Sequence, residues 1–534
     1  MTIPPSPCKD NLSDRSDKPT TAKPTDSTLL WLFIVGLASA ILCLPFVRSV
    51  FWMGDEGVLL HGAERILRGN RLYVDFFEFL PPGGFLIAAA WLGIAGTSIW
   101  SVRLLAILTI VGIACFTYLA CRQASKHSAA SALVAIGWVG LSQGFWTQLN
   151  HHWFATLFSM VTVWTTLYSV EHPHRGLRGP IVAGIAAGAA AMVTPTRGAL
   201  AILAGATAFL NLRRYRGELF AYGLGCALIP TALLLFLLYQ GAFAAAFDDV
   251  IMFPAKQYSS IQSVPFAFSG DNRYWPDYQN WPLKYLYPVV ALLTFLICAR
   301  DWYSSVHDRL LRSCVVFSLA GLAGCFPRPD MAHIAFTAPL VCPLLVFCVT
   351  RIILSWSRKR QLAALLTVAA IPSALSFYWT AHRAVASDIV VTPRGGVAFL
   401  ADLQVRELMR RIAATPSEEG YFFYPYMPML PFLTARNHVS RYDIFVPNYT
   451  LPSQYQEACL SSMRHAVWVV IDRTWTDDVF LKAFPAMRDA APQEKKMFEL
   501  ALERGFEFVA REGAFEMRRR VKTVDETVCS GISE

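Results

Sequence analysis

The chain has 534 residues, of which 54% are hydrophobic and only 16% charged, with a mean hydropathy of +0.40 and a formal net charge of +9. Its apolar residues fall in runs of about 20, the length that crosses the hydrocarbon core of a bilayer, which excludes a soluble globular protein. A transmembrane β-barrel would show short alternating segments instead. The basic residues sit in short loops between apolar runs, where they set orientation in a membrane and do not point to nucleic acid. The fold class is an α-helical polytopic membrane protein.

Residues 1–28 are rich in Pro, Ser, Thr, Asp and Lys and read as a disordered tail. Too polar and too long for the start of a cleaved signal, the tail leaves the run from Leu29 to Val50 as the first span. About eleven spans are expected, near 29–51, 102–121, 128–147, 152–170, 179–194, 198–212, 217–239, 284–300, 310–326, 334–355 and 361–380. In 57–69, Leu59, Leu60, Ala63, Ile66 and Leu67 share one face and Glu64, Arg65 and Arg68 the other, which predicts a helix lying along the membrane interface. The apolar stretch 84–96 is short for a crossing and reads as a juxtamembrane or re-entrant piece, completing a first external loop over 52–101. Arg122 and Lys126, Arg213 to Arg216 and Arg358 to Arg360 fall on the side of the basic tail, so the N-terminus is expected in the cytoplasm.

Past 380 the composition turns polar. Short β-like runs at Tyr421–Tyr424, Val467–Ile471 and Phe506–Arg511 alternate with helical patterns at 397–413 and 493–504, predicting a small α/β domain over 381–534. An odd number of spans places it outside the cytoplasm, where Cys459 and Cys529, two of 12 cysteines, are free to pair. No zinc-type cysteine spacing, nucleotide-binding glycine motif or internal repeat is present.

The ionisable residues that do not serve orientation collect in the opposite, external loops. Asp55 and Glu56 directly follow the first span, then come Tyr73, Asp75 and Glu78, and then Pro81-Pro82-Gly83. Acids at the mouth of a span are costly unless they face water or a polar cavity, so they are functional candidates, with a solvated loop as the plain alternative. His151 and His152 follow Asn150 at a span boundary; they suit ligating a metal with a carboxylate or hydrogen-bonding a sugar, but adjacent helical residues diverge, which disfavours both on one ion and favours interfacial polar anchors. Arg197 sits in a break between two apolar runs, either to hold an anion or to snorkel. Arg328, Asp330 and His333 precede a late span, the last two spaced to share a helix face.

A span ending in Asp-Glu, an amphipathic segment, an aromatic-Asp run, Pro-Pro-Gly and a late Arg-Pro-Asp-Met-Ala-His segment resemble the GT-C class of membrane glycosyltransferases, in its protein O-mannosyltransferase and aminoarabinose-transferase branch. The resemblance covers about 29–380 and rests on the order of short motifs. It implies inverting transfer of a sugar from a polyprenyl-phosphate donor to a hydroxyl of a glycan, lipid or protein acceptor, outside the inner (plasma) membrane. Asp55 matches the family's catalytic position and would take the acceptor's proton; Glu56 is a second base, an orienter or a helix cap. The leaving phosphate needs cations, for which Arg197, Arg328 and Lys256 are candidates in that order. Asp75, Asp330, His333, His151 and His152 complete the expected substrate contacts. No cofactor is required, though a divalent metal is compatible. The branch usually carries a lysine before its paired prolines, where this chain has Leu80. A transporter or lipid-linked-sugar flippase is the main rival, although repeat symmetry is then expected; a scaffold presenting the C-terminal domain would leave Asp55 without a role.

Overall fold

The computed structural model describes residues 27–50, 54–142, 148–210, 215–268, 281–300, 305, 308–353, 357, 360, 370–399, 404–521 and 526–532. Residues 1–26 of the expected tail and residues 361–369 of the last expected span lie outside them. The first half is a succession of helices: α1 (Ser27–Cys43), α2 (Asp55–Leu67), α3 (Pro82–Ala95), α4 (Ile99–Ser125), α5 (Ser128–Ser142), α6 (His151–Glu171), α7 (Arg178–Ala191), α8 (Pro195–Leu210) and α9 (Tyr215–Tyr239). Helices Leu286–Arg300, Arg309–Ala323, Met331–Ile353 and Ile371–Ala386 follow. Among the described residues five helices are long and apolar enough to cross a membrane: Thr28–Phe46, Ile99–Ser125, His151–Glu171, Arg216–Tyr239 and Met331–Ile352. Shorter apolar helices, α3, α5, α8 and Leu286–Arg300, lie among them. One apolar core joins Val35, Tyr118, Trp138, Trp153, Phe317 and Phe336 across this bundle.

Two small sheets follow. β1 (Ser49–Val50) pairs in parallel with β3 (Gly395–Phe399), in register Ser49↔Ala398, and β3 pairs antiparallel with β2 (Ile389–Thr392). The chain just past the first span is therefore stitched to the start of the C-terminal region. Of the helical pattern expected over 397–413, the described residues are helical at Val405–Ala413, while Val397 pairs with Val390, and Ala398 and Phe399 pair with Ser49 and Val50. The second sheet has the order β4 (Tyr421–Tyr424), β5 (Trp468–Asp472), β7 (Phe515–Arg520), β6 (Phe506–Glu512). β7 is hidden in the sequence by its run of arginines; Arg518 and Arg473 both pair with Glu516 of the same strand. A disulfide joins Cys459 to Cys529.

α2 does not lie along a wet interface. Every residue from Glu56 to Arg65 is buried. The C-terminal region covers the polar face as well as the apolar one: Glu64 pairs with Arg394, and Arg65 approaches Asp443 at 3.4 Å. Val58, Leu59, Phe85, Phe154, Met429, Phe432 and Val470 form a second core across this joint. The approach is close enough that only glycine fits at position 57, where a Cβ would stand 2.2 Å from the Met429 nitrogen and 2.5 Å from the Pro428 carbonyl carbon. Gly57→Val is expected to cost about 1–3 kcal/mol through overpacking, read as a lower unfolding midpoint of the detergent-purified protein, whereas Gly69→Ala, with no atom within 4 Å but a φ of +92°, carries only a backbone cost.

Candidate active site

Asp55 is the first residue of α2, and its placement depends on Gly54, whose φ of 124° lies in a region that side chains avoid. The carboxylate is half-buried. The Asn150 side chain ties it to the next element: Nδ2 donates to Asp55 Oδ2 at 3.2 Å while Oδ1 accepts the His152 amide at 2.8 Å, capping α6. One amide thus sets both the acid and the paired histidines. His151 and His152 are buried, with ring centroids 4.0 Å apart, and the Nδ1 atom of each makes no hydrogen bond among the described residues.

The adjacent acid has a different environment. Glu56 is 1% exposed and is held by Arg103 of α4, with Nη2 at 3.0 Å from Oε2 and Nη1 on Oε1. Its Oε1 also accepts the Leu149 amide at 2.7 Å, and Arg103 Nη2 donates to the Ser49 carbonyl at 2.6 Å. Both carboxylate oxygens are taken, so the expected second base is a tie between the start of α2, α4 and the entry to α6.

The expected cations differ in the same way. Arg197, in the first turn of α8, donates from Nε to the Gly324 carbonyl at 3.2 Å, and its guanidinium lies 5.3 Å from the Phe336 ring centroid. Its Nη1 and Nη2 are buried with no hydrogen-bond acceptor among the described residues. Arg328 has a partner on each nitrogen: Nε on Asp330 at 2.8 Å, Nη1 on Gln262 at 2.9 Å and Nη2 on the Ala483 carbonyl at 3.0 Å. Asp330 in turn caps the helix that begins at Met331, accepting the His333 amide at 2.9 Å and holding His333 Nδ1 at 2.7 Å. Burial opposes ionisation of Asp330, but His333 and Arg328 outweigh it and hold the carboxyl down at about 2. The His333 ring stands 4.9 Å from that of His152, and Phe336 lies 4.6 Å from His152.

Asp55, His151, His152, Arg197 and the Arg328–Asp330–His333 group thus meet in one region. Tyr258 and Tyr426, which the sequence did not single out, share it. Burial, then the Asp55 charge, pushes the Tyr258 phenol up to about 12, against Arg328 and Arg197, and Tyr426 rises for the same first two reasons, so both are neutral hydrogen-bonding groups. Aromatic residues abound in the external loops, and spacing alone does not mark these two. Asp75 lies elsewhere, hydrogen-bonded to the Arg71 amide at 2.7 Å on the rim of a separate polar cavity of about 410 Å³ that His61 and Arg441 also line. Lys256 is exposed in a short π-helical segment, Pro254–Tyr258.

This arrangement of helices, first loop and C-terminal sheet is a fold shared with solved structures. No family model matches the sequence, and no curated protein matches it. Among solved structures the chain is similar to ArnT from Cupriavidus metallidurans bound to undecaprenyl phosphate, at 12% identity and a TM-score of 0.57 over 94% of this chain and 99% of that one. Its apo state matches with a TM-score of 0.53 at 12% identity, over 93% and 98% of the two chains. The mycobacterial arabinofuranosyltransferase AftD matches at 15% identity with a TM-score of 0.50, over 93% of this chain and 40% of that one.

Arg103→Met is expected to leave the Glu56 carboxylate buried and unpaired, at a cost of about 3–5 kcal/mol. The measure is the yield of monodisperse protein in detergent; the double variant Glu56→Gln/Arg103→Met should recover part of it.

Proposed function

We propose that the chain is a glycosyltransferase of the inner (plasma) membrane that moves a sugar from a polyprenyl-phosphate donor to an acceptor hydroxyl on the extracytoplasmic face, with inversion. The observation that carries this reading is the half-buried carboxylate of Asp55 in one region with a buried guanidinium, that of Arg197, whose two terminal nitrogens have no acceptor among the described residues. An unsatisfied buried arginine costs free energy that an anionic ligand restores. Its fork suits phosphate. In the reaction, Asp55 accepts the proton of the acceptor hydroxyl as that oxygen bonds to the anomeric carbon. The bond from that carbon to the phosphate oxygen breaks on the opposite face, its electron pair passes to the phosphate, and Arg197 holds the resulting dianion. Arg328 acts at one remove, holding Asp330 and through it His333. With Leu80 before the paired prolines, the donor phosphate depends on Arg197 more heavily. The fold match to an undecaprenyl-phosphate-bound protein supports a lipid-phosphate donor. The disulfide between Cys459 and Cys529 supports an oxidising compartment for the C-terminal region, in agreement with basic loops on the tail side.

In native membranes, Asp55→Asn is expected to lower transfer by about 10²–10⁴-fold, the range for a lost general base, with lipid-linked sugar accumulating and protein level unchanged. Arg197→Ala is expected to lower kcat/KM for the donor by roughly 10–100-fold, as for a lost charged hydrogen bond, and Arg197→Lys to restore little of it. A normal envelope glycan profile in the Asp55→Asn strain would refute the assignment.

A further inference from the structure

The paired histidines remain unused by the reaction described. Both are more than nine-tenths buried, at 5% and 8% exposed, and the Nδ1 of each lacks a hydrogen-bond partner among the described residues. A buried imidazole nitrogen with no partner is costly. The third feature is Asp55. One ligating atom from each of Asp55, His151 and His152 lies within 4.8 Å of the others.

The expectation that adjacent helical residues would diverge fails at this point for a local reason. His151 and His152 occupy the first positions of α6, directly after Asn150, whose backbone is extended at φ −144° and ψ 142°. The two ring centroids lie 4.0 Å apart with the planes tilted by 40°, and the His152 ring is backed by Phe336 and His333. Ligands of one tetrahedral zinc ion stand about 2.0–2.2 Å from it, and so about 3.3–3.6 Å from one another. The three atoms, each within 4.8 Å of the others, reach that spacing by rotation of the carboxylate and the rings. Asn150, donating to Asp55 Oδ2, is the supporting hydrogen bond that orients the acidic ligand.

We propose that Asp55, His151 and His152 form a binding site for a divalent transition-metal ion, with two imidazoles selecting zinc or cobalt over magnesium or calcium. Three protein ligands leave one position of a tetrahedron open. The Arg197 guanidinium lies near the site, over the Phe336 ring that packs on His152, and the Asp55 carboxylate offsets its charge. Because the ion takes the carboxylate that accepts the acceptor's proton, metal and acceptor compete for Asp55. The site is therefore inhibitory to transfer. The competition rests on the reaction proposed above, whereas the binding rests on geometry alone.

The test uses full-length protein in detergent with any affinity tag removed. Zinc is titrated calorimetrically, and cobalt is followed by its visible absorption. One ion per chain is expected to bind. His151→Ala, His152→Ala and Asp55→Asn are each expected to weaken binding by at least the roughly 10–100-fold that loss of a supporting partner costs, while Asp75→Asn, outside the cluster, leaves it intact. Unfolding midpoints measured without metal identify any variant that fails to fold, and for such a variant His152→Gln replaces His152→Ala. No binding to the wild type, or undiminished binding to the folded double variant His151→Ala/His152→Ala, would overturn the site. Zinc is then added to the transfer assay: inhibition at concentrations that fill the site is expected, and full activity with the site filled would overturn the competition. A chain that shows no transfer but binds zinc through these residues would refute the glycosyltransferase reading and leave the metal site standing.

Discussion

A buried ion pair at the start of α2 holds the candidate site together. Glu56 accepts two guanidinium bonds from Arg103 and one from the Leu149 amide, and so joins the first external helix, a membrane helix and the approach to α6. Charges removed from water in this way are rarely worth more than a well-packed apolar pair, yet the loss of either partner is severe. Their effect here is positional. With Glu56 locked inward, a neighbour one residue away must point elsewhere, and Asp55 is left half-exposed beside Asn150, His151 and His152.

The two candidate arginines show how similar residues acquire different roles. Arg328 is satisfied by a carboxylate, an amide and a carbonyl, and organises its surroundings. Arg197 has one backbone acceptor and an aromatic face, but its terminal nitrogens are buried with no acceptor among the described residues. Water or an anion must meet that need. That shortage separates Arg197 from Arg328.

The C-terminal region does more than follow the last helix. Its residues 428–434 press on α2 at Gly57, β3 pairs with β1, Arg394 reaches Glu64 and Asp443 gathers His61, His438 and Arg65. Burial raises the cost of charging His61 and His438, while the positive groups around Asp443 keep it ionised. The first loop and the C-terminal region are thus one polar and apolar interface, and the orientation of Asp55 depends on both.

The apolar runs, the break at Thr194, the pair of acids after the first span and the spacing of Asp330 and His333 were legible in the sequence, because membrane length, charge cost and helical period act on neighbouring residues. The covering of α2 was not, since an amphipathic pattern shows which face is apolar and is silent on whether protein or water meets the polar one. For the same reason the pairing of β3 with β1 and of β7 with β5 stayed hidden: those partners lie far away in the chain. Which of Asp55 and Glu56 is left partly exposed, which arginine keeps free donors and whether adjacent histidines converge are decided only when distant segments meet, because hydrogen-bond satisfaction is a property of the packed interior and carries no local signature.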